Sequence, residues 1–127
     1  MDGKIKWGIL GPGNIARRFA DALLRCEDAE LYAVASASDP ERAADFAKEF
    51  GAEHAFGNYD RLLEDKNVQA VYIATVNTTH KELIKKCAAA GKPVLCEKPC
   101  VLTEADAAEL QALSESSGTL IMEAMWT

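Results

Sequence analysis

The feature that most constrains this chain comes early, where the apolar run Ile5-Lys6-Trp7-Gly8-Ile9-Leu10 enters Gly11-Pro12-Gly13-Asn14-Ile15-Ala16 and leaves with Ile15, Phe19, Ala22 and Leu23 at helical spacing. A G-x-G-x-x-A run between an apolar strand pattern and an amphipathic helix pattern predicts a strand, a tight turn and a helix. Gly11 permits the turn, Gly13 has no side chain to block a ligand approaching the backbone, and small Ala16 lets the helix lie close to the strand. The helix start at Asn14, Ile15 and Ala16 offers free N–H groups and the positive end of the helix dipole. Together they suit an anion such as the pyrophosphate of a dinucleotide, with no lysine needed.

The same strand and helix alternation continues through all 127 residues. A first helix is expected over residues 14–25 and a second, doubly buried strand over residues 31–35. Asp39-Pro40-Glu41-Arg42 reads as a helix start, with Asp39 as the cap and Pro40 at the first helical position, and Gly51 ends that helix after Phe50. A minimal third strand over residues 54–56 and a short capped helix from Asn58 follow. The fourth strand is expected over residues 71–74. It feeds Asn77-Thr78-Thr79-His80, where Thr79 and Glu82 have capping-box spacing. Then come a helix ended by Gly91, a fifth strand over residues 93–96, a helix over residues 103–113 and a last strand over residues 120–122. Six strands alternating with helices predict an α/β doubly wound parallel sheet, a Rossmann domain occupying residues 1–127, in the order 3-2-1-4-5-6.

In that fold ligands bind beyond the carboxyl ends of the strands, where the strand order reverses between the first and fourth. Residues 11–16, 36–39, 76–80 and 97–99 all follow strand ends, so four segments converge on one cleft.

Bulk properties exclude several alternatives. With 49% hydrophobic and 27% charged residues the chain is of ordinary globular composition, which excludes disorder or a fibre. A net charge of −6 argues against a nucleic-acid surface, which needs clustered Lys and Arg. No apolar run approaches the roughly 20 residues of a membrane span and no secretory signal pattern opens the chain, so a cytoplasmic location is expected. Cys26, Cys87, Cys96 and Cys100 are then expected as free thiols. Cys96 and Cys100 lack the C-x2-C spacing of a zinc site, and no metal is expected.

Tyr72-Ile73-Ala74-Thr75-Val76-Asn77-Thr78-Thr79-His80 and Gly91-Lys92-Pro93-Val94-Leu95-Cys96-Glu97-Lys98-Pro99, taken in order with the glycine turn, give the whole chain a specific resemblance to the Gfo/Idh/MocA family of oxidoreductases. Glu123-Ala124-Met125-Trp126 looks like the branch that includes dimeric dihydrodiol dehydrogenase and the glucose-fructose oxidoreductases. The resemblance is to the first half of such proteins only. It implies a C-terminal substrate domain absent from this chain, a homo-oligomer at full length, and a small-molecule substrate of sugar or polyol type. Read alone, Lys98 is a solvated lysine ahead of a proline turn. The resemblance instead implies that it lies near the nicotinamide and the substrate hydroxyl, with Glu97 and Asn77 helping to hold the cofactor. An ammonium beside a reacting hydroxyl stabilises developing negative charge and tunes a proton donor. His80, one residue after a cap, reads as a structural histidine bonded to a neighbouring loop rather than as a base. Val76 and Gln69 depart from the proline and aspartate common in the family, the first beside Asn77. Met122, Met125 and Trp126 serve equally well as cleft lining or as edge packing.

The function expected is that of the NAD(P)-binding domain of an oxidoreductase moving hydride between a nicotinamide cofactor and a carbonyl or secondary alcohol. The alternative is a non-catalytic, dinucleotide-sensing regulator of the same fold, against which Glu97-Lys98-Pro99 argues. Cofactor choice is set just beyond the second strand, where an acidic residue would bind the ribose 2'-hydroxyl. Here Ser36 and Ser38 supply hydroxyls and Arg42 a cation, while Asp39 is committed to capping. That arrangement predicts NADP, with NAD possible. The substrate is not encoded in these residues, because the domain expected to recognise it is not among them.

Overall fold

A computed structural model describes residues 4–37, 39–75, 80–97 and 104–124. Six strands, β1 (Ile5–Leu10), β2 (Ala29–Ala35), β3 (His54–Phe56), β4 (Ala70–Ile73), β5 (Val94–Glu97) and β6 (Ile121–Ala124), alternate with five helices. The helices are α1 (Asn14–Leu24), α2 (Pro40–Phe50), α3 (Tyr59–Glu64), α4 (His80–Ala89) and α5 (Glu104–Ser117). The strands form one sheet in the order β3-β2-β1-β4-β5-β6, and each strand pairs in parallel with its neighbours. This is the expected doubly wound Rossmann arrangement. Its reversal point lies between β1 and β4.

The apolar residues of α1 and α2 pack on one face of the sheet, where Phe19 of α1 stacks on Tyr72 of β4 with ring centroids 4.0 Å apart. Helices α3, α4 and α5 cover the other face through Leu62, Ile84 and Leu110, packed with Leu10, Val71 and Cys96. Gly8 is what lets α3 lie so close to β1: a Cβ there would stand 2.8 Å from Leu62 Cδ2 and 3.1 Å from Val68 Cγ1. Leu95 of β5 shares the α1 side of the sheet, and its partner Met122 on β6 is 52% exposed.

Helix ends follow the local signals. Asp39 accepts from the N–H groups of Glu41 and Arg42 at 3.1 and 3.2 Å, and Gly51 ends α2 at a φ of 78°. Asn58 caps α3 by accepting from Arg61 N at 2.9 Å. Several boundaries differ from expectation, those of α1, β4 and β5 by a single residue. Strand β2 begins at Ala29, because Ile5 pairs with it and Ile5 N donates to Asp28 O at 2.8 Å. Helix α5 runs on to Ser117, its serines folding back as Ser116 and Ser117 hydroxyls donate to Leu113 O. Strand β6 starts and ends later than its apolar run, since pairing with β5 carries it from Ile121 to Ala124.

At the end of the sheet away from the glycine turn, Lys92 is buried. Its Nζ donates to Val68 O at 2.6 Å and Asp65 O at 3.0 Å, pinning the turn between α3 and β4. Burial pulls its pKa down, opposed by Asp65. Cys26 and Cys87 are free thiols, and burial pushes the Cys87 thiol up to about 12, which makes it inert rather than nucleophilic.

Candidate cofactor site

The cleft is built where β1 stops. Gly11 takes a φ of 98°, a conformation that side chains rarely adopt, and its N–H donates to Ala35 O at 2.9 Å, tying the turn to the end of β2. A Cβ on Gly11 would also meet Ala74 O at 3.1 Å and Thr75 Cγ2 at 2.9 Å, so the turn passes directly against the end of β4. Gly13 differs. Its φ of −110° and ψ of −168° are open to any residue, and a Cβ there would meet nothing within 4 Å. What Gly13 preserves is space in front of the helix start. It is the N-cap of α1 and has no side chain to fold back onto the first-turn N–H groups, and the turn Asn14-Ile15-Ala16 carries no acid. Those N–H groups have no intrahelical acceptor by helix geometry, so the helix presents donors and a positive dipole end to the cleft. Ala16 is fully buried and Ile15 partly so, which places the helix close to the sheet.

Gly11, Pro12 and Gly13 form one wall of a cleft of about 590 Å³, and Ser36, Ala37, Asp39, Arg42, Tyr59, Ala74 and Thr75 complete it. The volume lies within the usual range for small-molecule and cofactor pockets. The cleft therefore gathers the ends of β1, β2 and β4 at the reversal point, as the fold requires. Arg42 reaches across from α2, and its Nη2 donates to Pro12 O at 3.0 Å. It also borders a smaller cavity of about 330 Å³ with Arg17, Asp45 and Phe46. Arg17 is committed to Glu49 and lies over the Phe46 and Phe50 rings, a tie between α1 and α2.

Of the residues singled out from sequence, Gly11, Gly13, Ser36 and Arg42 line the cleft together. Ser36 is buried, and its hydroxyl accepts from Asp39 N at 3.2 Å, so part of its hydrogen-bonding capacity holds the start of α2. Asn14 opens α1, and Glu97 ends β5 in register with Ala124 of β6. Ser38, Asn77 and Lys98 lie outside the described residues, as do Val76, Thr79, Cys100, Met125 and Trp126. His80 is buried, with Nε2 3.0 Å from Thr75 O. A carbonyl only accepts, so Nε2 carries the proton in that bond. His80 holds the residue that follows β4 at the cleft, the structural role expected of it. Tyr59 is the lining residue that sequence reasoning missed. It reaches the cleft because the turn before α3 packs on Pro40, from whose Cγ a Cβ on Gly57 would stand 3.2 Å away.

The open helix start, the space kept by Gly13 and the Arg42 cation in the cleft fit a dinucleotide, with its pyrophosphate at α1. Fold and site together define an NAD(P)-binding Rossmann domain. The chain belongs to the Gfo/Idh/MocA oxidoreductase family, whose NAD-binding Rossmann-fold model matches residues 5–125. It is 41% identical over 124 residues to mouse trans-1,2-dihydrobenzene-1,2-diol dehydrogenase, covering 97% of this chain and 37% of that protein. Among solved structures it resembles KijD10, a 3-ketoreductase from Actinomadura kijaniata in complex with NADP, with 38% identity and a TM-score of 0.88 over 94% of this chain and 38% of that one. It also resembles GenD2 from gentamicin A biosynthesis in complex with NAD, with 29% identity and a TM-score of 0.89 over 95% of this chain and 34% of that one. The chain thus spans just over a third of the length of the relatives it matches. Among the described residues no helix is long and apolar enough to cross a membrane.

Proposed function

We propose that this chain is the cofactor-binding part of an enzyme that moves hydride between NADP and a ketone or secondary alcohol on a sugar or polyol. The observation that carries the reading is the uncapped start of α1, opened by Gly13 into a cleft that Arg42 also lines. The names of the relatives support it: one is a diol dehydrogenase and one a 3-ketoreductase, both working at alcohol or ketone carbons. These names favour an enzyme over a dinucleotide-sensing regulator.

When bound, the nicotinamide supplies the hydride chemistry. The chain's own residues bind and orient it. Backbone N–H groups of Asn14, Ile15 and Ala16 would hold the pyrophosphate, and Ser36, Ser38 and Arg42 would bind at the adenosine ribose. Asn77 and Glu97, which come after β4 and at the end of β5 in the sequence, would help to hold the cofactor. The Lys98 ammonium Nζ stabilises negative charge on the substrate oxygen and holds a proton for it. A second domain, beyond the 127 residues, closes the cleft, positions the substrate and supports assembly into a homo-oligomer. The exposed Met122 beside Leu95 supports such a covering partner on that face.

Positioning is worth as much as about 7 to 11 kcal/mol, so this chain binds cofactor without turning substrate over. The test combines titration with NADPH and NADH and a screen of aldoses, polyols and dicarbonyls followed at the nicotinamide absorbance. The reading expects tighter binding of NADPH, a preference reduced by Arg42→Ala, and no turnover. Preference for NADH would overturn the cofactor assignment. Turnover that disappears in Lys98→Met would show that these residues form a complete enzyme.

A further inference from the structure

The main cleft holds a polar aromatic side chain that neither the glycine turn nor the helix caps use. Tyr59, the first residue of α3, lines the cleft together with Arg42, Asp39 and Ser36. Its ring is half-buried against the core on the α3 side of the sheet, so the side chain is held in place rather than sweeping through solvent. Partial burial raises its pKa and the nearby Arg42 cation lowers it, with no hydrogen bond contributing. The phenol is therefore protonated at neutral pH, a donor beside a guanidinium.

Arg42 is itself preoriented, since its Nη2 bond to Pro12 O uses one of its N–H donors and leaves the others. A fixed guanidinium and a phenolic O–H in one cleft make a charge-assisted, two-donor site for a phosphate monoester. Among the described residues Asp39 is the only carboxylate lining this cleft, and its Oδ1 accepts from the α2 N–H groups, which draws its charge toward the helix start.

We infer that Tyr59 is a specificity residue for the adenosine 2'-phosphate, its hydroxyl donating to the phosphate that Arg42 pairs with by charge. The inference rests on the reading of this cleft as the dinucleotide site and adds to it a discriminating group. Tyr59 supplies nothing comparable to a ligand whose ribose carries only hydroxyls, so its removal should separate the two ligand classes.

The experiment is calorimetric titration of the 127-residue protein and of Tyr59→Phe with adenosine 2',5'-bisphosphate and with ADP. Phenylalanine keeps the packed ring and removes only the donor, and thermal melting of both proteins checks that the fold is retained. The inference expects Tyr59→Phe to weaken the 2',5'-bisphosphate by about tenfold or more, the scale of a hydrogen bond to a charged group, and to change ADP by less than about twofold. An equal loss for both ligands, or no loss for either, overturns it while leaving the cleft reading intact. Failure of the unaltered protein to bind either ligand overturns the cleft reading and this inference with it.

Discussion

Gly11 and Gly13 stand two residues apart in the same turn and do different work. Gly11 is required by the backbone: its φ of 98° and the approach of Ala74 O to 3.1 Å leave no room for a side chain. Gly11→Ala should therefore destabilise the fold itself by about 2–3 kcal/mol, combining strain at a positive φ with displacement of the β4 end. Urea unfolding measures this directly, and an unchanged midpoint would show that the turn is not held against β4. Gly13 is required by nothing inside the fold, so its purpose is external. The demand on Gly11 was legible in the spacing of the motif, because it follows from the turn's own geometry. Asp39 as a cap and His80 as a structural group were legible for the same reason, each acting within a few residues of itself. Tyr59 and the bond from Arg42 to Pro12 were not, since the partners lie 30 residues apart and meet only once β1 and β2 are paired. The burial of Lys92 was equally hidden, because a lysine in a turn reads as solvated until two buried carbonyls are found above it.

At the scale of elements, hydrophobic period and turn residues were sufficient to place all six strands, whereas ends that depend on neighbours were misread by a few residues. Strand β2 gains Ala29 from pairing with Ile5, and β6 extends past its apolar residues because β5 does. Helix α5 has only Leu110 buried, so a third force helps to hold it: Lys81 of α4 bonds Asp106 and Glu109, and Lys85 bonds Glu109. Hydrogen bonds from Lys81 and Lys85 hold the Glu109 carboxyl down at about 2, from its ordinary 4.5. The same carboxylates push the Lys81 ammonium upward. A depressed carboxyl pKa means that the unfolded chain takes up the proton first as pH falls. The contribution of Glu109 is thus fully present above about pH 4.5 and is lost as pH falls through about 2. The melting temperature of Glu109→Gln should lie below that of the unaltered protein at neutral pH, and the gap should close toward about pH 2 and shrink in high salt. A gap that stays constant with pH and salt would remove the ion pairs from the account of how α5 is held.

For the molecule as a whole, the strand order decides where chemistry can occur. Reversal between β1 and β4 leaves a crevice at the carboxyl ends of the strands, and the glycine turn, the β2 end and the β4 end all open into it. That convergence follows from topology alone, which is why the site's position could be read before its lining. Its polarity follows from the start of α1, where donors meet a cleft lined by Arg42. The central claim is that this crevice holds a nicotinamide dinucleotide with its pyrophosphate at Gly13, and calorimetric titration of NADPH into the protein and into Gly13→Val tests it most directly. A Cβ at Gly13 meets nothing within 4 Å, so valine costs the fold only about 1 kcal/mol as a poorer cap and places its methyls where the pyrophosphate must lie. The account predicts one binding site and a raised melting temperature for the unaltered protein, and for Gly13→Val an affinity lower by about 100-fold or more, roughly 2.7 kcal/mol. Absence of heat and of any melting shift with saturating NADPH, or equal binding by both proteins, would contradict it.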